Sequence, residues 1–132
     1  MLNTLRYLPL VAVVAFAVPT TAQSDEEIYE GAVNCSALHS YISGALEGED
    51  DETAEEFFES GTRFFTLALV RNEQNAEKDL NMILDGLIEK VNGMEEDAEI
   101  EAFIASGITR CDTFRESVAE EYDAIDFEED EE

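Results

Sequence analysis

No proline follows Pro19, and beyond it the apolar residues recur every three or four positions. That spacing gathers them on one side of a helix and fits no pleated strand, whose side chains change face at every residue. No hairpin turn joins alternating segments either. The pattern predicts an all-α fold.

Four apolar stripes can be traced. The first holds Ile28, Ala32, Cys35, Leu38, Ile42 and Ala45. It opens at Ser24 with Glu27 three residues on, a capping-box spacing, and ends at Gly48 and the acidic run 49–52. The second opens at Thr53 with Glu56 and carries Phe57, Phe58, Gly61, Phe64, Phe65, Ala68 and Leu69. A polar stretch at 72–75 reads as a turn, with Asn75 capping a third stripe of Leu80, Ile83, Leu84, Leu87, Ile88 and Val91. Asn92-Gly93 is a C-terminal stop. The fourth stripe is the longest: Ile100, Phe103, Ile104, Ile108, Cys111, Phe114, Val118, Tyr122 and Ile125. It predicts one helix, with Ser106-Gly107 as the place for a kink. Short connections between four such helices predict an antiparallel up-down four-helix bundle over residues 23–126. Residues 127–132 read as an acidic disordered tail.

Cys35 and Cys111 are the two cysteines of the chain, and each lies near the middle of its stripe. In an up-down bundle the first and last helices are neighbours, so the topology predicts a single disulfide between them. Such a bridge closes a loop of about 77 residues, worth roughly 4 kcal/mol in the chain-entropy model.

The N-terminus has the three parts of a secretory signal peptide: a cationic start with Arg6, an apolar run at 8–18, and the small residues Thr20, Thr21 and Ala22. The run is about half of the ~20 residues a membrane span needs. Cleavage after Ala22 would leave about 110 residues, enough for one core. Periplasmic or secreted localisation follows, and it suits a disulfide.

The formal charge is −26, from 33 acidic and 7 basic residues. Removing 1–22 takes away Arg6 and no carboxylate, so the mature chain is one unit more negative still. This surface repels nucleic acid and anionic membranes, which are excluded as partners. It also disfavours self-association, so a monomer is expected. Two explanations compete for the charge: a hydrated coat suited to saline surroundings, or attraction to a basic protein partner.

Catalytic and metal chemistry find little support. His39 is the single histidine. It shares a helix face with Cys35, yet oxidised cysteines supply no thiolate, and no paired zinc-ligand spacing is present. We expect His39 to be a partly exposed surface residue. There is no nucleophile elbow, Glu-x-x-His pair or glycine-rich phosphate loop. No catalytic, cofactor-binding or metal-ligating residue is assigned. The run 49–52 reads as a solvated connector, with calcium sequestration as its alternative role.

The doublets Phe57-Phe58 and Phe64-Phe65 make a wide aromatic face, read as a helix buried on two sides. Any exposed part of it, represented by Phe58 and Phe65, is a candidate partner surface. Glu116, Glu120 and Asp123, spaced to share a strip on the last helix, would add long-range attraction for a cationic partner. The sequence thus reads as a non-catalytic exported binding or accessory protein. A cation-sequestering protein and an enzyme with an unreadable site are the alternatives.

Overall fold

The computed structural model describes residues 23–126. The signal peptide expected at 1–22 and the acidic tail expected at 127–132 lie outside the described residues. Within them the chain is all-helical, with 87% helix and no strand. Four helices follow in order: α1 (Asp25–Leu46), α2 (Asp51–Asn92), α3 (Asp97–Ser117) and α4 (Ala119–Asp123).

Helix α1 starts where its capping box predicts. The Ser24 hydroxyl accepts from the Glu27 backbone N–H at 3.2 Å, and three acidic residues fill the first turn, where the helix dipole favours them. Gly48 then takes φ +85°, a left-handed conformation that glycine enters without strain. Helix α2 begins three residues earlier than expected. Asp50, not Thr53, is its cap, and the Asp50 carboxylate accepts from both the Thr53 N–H and the Thr53 hydroxyl.

The second and third stripes prove to be one 42-residue helical element broken at a single residue. Asn72, at φ −153° and ψ 73°, is the only non-helical position within it. The expected turn at 72–75 is therefore compressed into Asn72, whose side-chain oxygen accepts from the Asn75 amide at 3.2 Å. That one residue redirects the chain. Before it, the Ser43 hydroxyl donates to the Ala54 carbonyl and the Ser36 hydroxyl to the Gly61 carbonyl, so α2 runs opposite to α1. Extended straight in that register, Asp79 would lie about 16 Å past Tyr29 at 1.5 Å per residue. Instead the Tyr29 hydroxyl donates to Asp79 at 2.6 Å. The helix doubles back along α1.

The last stripe also differs from expectation. It runs unbroken through Gly107 and breaks at Val118, at φ −119° and ψ 21°, where the Val118 N–H bonds the carbonyls of both Phe114 and Arg115. The short α4 that follows is held from outside. Arg63 of α2 donates to the Tyr122 and Ile125 carbonyls at the helix end, the first of which also accepts from the Ile125 N–H. Arg71 of α2 grips Glu121 with two nitrogens at 2.6 and 2.7 Å. Glycine at 107 serves close approach, not bending.

Cys35 and Cys111 form the disulfide, with Cα atoms 5.6 Å apart. Because of the break at Val118 it joins α1 to α3, and α4 lies beyond it. The contacts around it repeat on both sides. A Cβ on Gly31 would lie 2.6 Å from the Phe114 ring, and a Cβ on Gly107 would lie 2.7 Å from a Leu38 methyl. Each helix thus presents glycine, cysteine four residues later and a large apolar residue three beyond that, and the two sets meet head to tail. The bare glycines let the backbones come close enough for the bridge. Around it Ala32, Val33, Leu38, Ile42, Phe64, Leu67, Ala68, Ala76, Val118 and Tyr122 make the core. Phe64 is 1% exposed, and truncating a phenylalanine so placed typically costs about 3–5 kcal/mol.

Candidate functional site

The face of α1 turned to α2 carries a buried polar seam: Ser36, His39 and Ser43, spaced by three and four residues. The two serines are satisfied by α2 carbonyls, as described above. His39 is not. Only 6% exposed, it lies edge-on to the rings of Phe57 and Phe64 at 5.1 and 5.2 Å, and neither ring nitrogen has a hydrogen-bond partner among the described residues. The expected surface histidine is in fact a core residue, because glycine at 61 leaves room for the His39 Cβ between the helices. Desolvation lowers its pKa to about 4; Asp112 opposes that shift and Arg115 adds to it. Such an imidazole is closed off from acid–base work on a substrate.

The aromatic doublets divide between core and solvent. Phe57 and Phe64 turn inward onto His39, and Phe65 packs partly buried against the core. Phe58 is 65% exposed. It borders a hollow of about 220 Å³ with Glu47, Asp51, Glu55, Ser43 and Ala54, where the end of α1 meets the start of α2. The acidic trio is exposed throughout, with Glu116 on α3 and Glu120 and Asp123 on α4. The break at Val118 lies within the trio, so these residues do not share one continuous helix.

Two of the four carboxylates in the run 49–52 have local structural tasks. Asp50 caps α2, which holds its pKa below the usual carboxylate range through the Thr53 hydroxyl first and the Thr53 N–H second. Asp51 accepts from the Gly48 N–H at 2.8 Å. Among the described residues, no three His, Cys, Asp or Glu side chains are grouped so as to hold a metal ion, and no helix is long and apolar enough to cross a membrane.

A larger groove, about 470 Å³, opens at the Asn72 corner between the first turns of α1 and the second half of α2. Sequence reasoning missed it, since it exists only because α2 doubles back. Tyr29 and Asp79 meet in it across 50 residues. Partial burial first, then the hydrogen bond to Asp79, pushes the Tyr29 phenol up to about 12. Arg71 forms part of the wall. Its Nε lies 3.5 Å from Asp25, an ionic contact too poorly aligned to be a hydrogen bond. Its hydrogen bonds to Glu121 hold that carboxyl below its usual range.

The chain matches no protein-family model, no curated protein and no solved structure. The functional reading therefore rests on these residues alone.

Proposed function

We propose that this chain is a non-catalytic, exported accessory protein, acting as a monomer in the periplasm or outside the cell, that binds a basic protein partner. In this reading its helices form an antiparallel up-down bundle, and α2 supplies the second and third members on either side of Asn72. The observation that carries the proposal is Phe58: a large aromatic side chain, 65% exposed, on the rim of a hollow shared with Glu47, Asp51 and Glu55. On a protein this heavily charged, an aromatic left in water inside a ring of carboxylates suits a cation-bearing apolar surface. The exposed carboxylates, Glu116, Glu120 and Asp123 among them, would speed encounter through long-range attraction. The short-range apolar contact would set dissociation.

The test is capture from the native envelope fraction with the oxidised protein, followed by binding kinetics on the retained species. A basic partner is expected. Phe58→Ala should raise its dissociation rate about tenfold, the equivalent of ~1.4 kcal/mol. Neutralising Glu116, Glu120 and Asp123 together should slow association and leave dissociation unchanged. An acidic partner, or binding insensitive both to Phe58→Ala and to high salt, would overturn the reading.

A further inference from the structure

We propose that the groove at the Asn72 corner is a binding site for a linear aliphatic polyamine. This goes beyond the partner surface around Phe58 and does not depend on it. The space, about 470 Å³, is within the range of small-molecule sites and far larger than a bare ion requires. Its lining is of two kinds. Val33, Met82 and Ile83 present hydrocarbon, and Met82 is left 59% exposed. Asp25, Glu26, Glu30 and Asp79 present carboxylates along the same groove.

The hydrogen-bonding balance then selects the ligand. The Tyr29 hydrogen is committed to Asp79, and the raised phenol pKa keeps it there. Arg71 spends both terminal nitrogens on Glu121, and the Asn34 amide donates to the Glu30 carbonyl at 2.7 Å. These donors are thus occupied, Arg71 Nε faces Asp25 at 3.5 Å without a hydrogen bond, and four carboxylates line the groove against the one Arg71 guanidinium, so the groove calls for a ligand that brings donors and positive charge. An anion is repelled. A compact metal ion would need several carboxylates converging on one point, which the described residues do not provide. A chain of methylenes with ammonium groups along it meets both linings, its stem on the hydrocarbon and its charged groups at the carboxylates.

Calorimetry on the oxidised protein in about 150 mM sodium chloride, where the Debye length is ~8 Å, separates site binding from diffuse attraction. Spermidine should saturate at a single site, and 1,4-diaminobutane should bind there more weakly. Glu26→Gln with Glu30→Gln should weaken spermidine about tenfold, or ~1.4 kcal/mol. Glu95→Gln with Glu101→Gln removes the same charge near the start of α3 and should weaken it less than about twofold. All four side chains are exposed, and circular dichroism confirms that both variants fold. Equal weakening in the two variants, the absence of saturation, or displacement of spermidine by an equal concentration of magnesium would overturn the proposal.

Discussion

His39 makes a sharp demand on how stability varies with pH. In the unfolded chain its imidazole titrates near 6.5; in the folded protein, closed in by Phe57 and Phe64, it does so at about 4. Between those values the unfolded state binds a proton that the folded state refuses. Stability is therefore whole above pH 6.5 and falls as the pH drops toward 4. At 1.36 kcal/mol per pH unit the loss between pH 7 and pH 4 is about 3 kcal/mol. Protonation of surface carboxylates acts over part of the same range in the opposite sense, because it relieves the repulsion of a chain at −26. The measurement must isolate the histidine. His39→Leu fills a similar volume between the two rings and removes two buried ring nitrogens that no described residue satisfies. Its stability at pH 7 should equal or exceed the parent's, since deleting unsatisfied polar atoms removes a desolvation penalty. Urea unfolding followed by circular dichroism, with the disulfide intact and ionic strength fixed, gives both proteins' free energies from pH 7 to pH 4. The difference between them should widen by about 3 kcal/mol over that interval. Parallel curves would refute the argument, as would a His39 resonance titrating near 6.5.

Two further outcomes are expected. Gly107→Ala places a methyl 2.7 Å from Leu38 and should destabilise by about 1–3 kcal/mol in thermal melts, whereas Gly86→Ala, with nothing within 4 Å, should stabilise by about 0.5–1 kcal/mol. Opposite signs at two helical glycines would show that one is held for packing and the other is not. Stability should also rise with sodium chloride, which screens the self-repulsion, and calcium at matched ionic strength should do no better; a calcium-specific gain at micromolar concentration would contradict this.

The elements that were legible in the sequence are those set by repetition. The 3–4 spacing of stripes such as Ile28–Cys35–Ile42 depends on helix geometry alone, and the pairing of Cys35 with Cys111 followed from their central places on two of those stripes. What was hidden depends on three-dimensional register. Val118 looks like any other member of its stripe, and the grip of Arg63 and Arg71 on the α4 segment beyond the break has no signature in that stripe. Asn72 was seen within a polar turn, but its action as a one-residue corner, and hence the groove, requires knowing where Asp79 lands. His39 reads from the sequence as a surface residue, yet it lies buried between Ser36 and Ser43. The regular spacing of these three was the available signal, and its meaning depended on the small residues Ala54 and Gly61 opposite. Of the candidate partner residues, sequence could nominate Phe58 and Phe65 together but not say which one faces water.

The bridge between Cys35 and Cys111 also decides how the molecule would bear mechanical load. Tension applied at the two termini passes from α1 across the sulfur atoms into α3 and never enters the span 36–110 between them. Glu47, Asp51, Ala54, Glu55 and Phe58, which border the smaller hollow, all lie inside that shielded span. The larger groove does not share the protection: Asp25, Glu26, Tyr29 and Glu30 belong to the strand of chain under load, while Arg71, Asp79 and Met82 sit in the part that is slack. Pulling would peel one wall of the groove from the other and leave the surroundings of Phe58 unstretched. Reducing the disulfide would abolish the distinction, putting the whole length of α2 in line with the force.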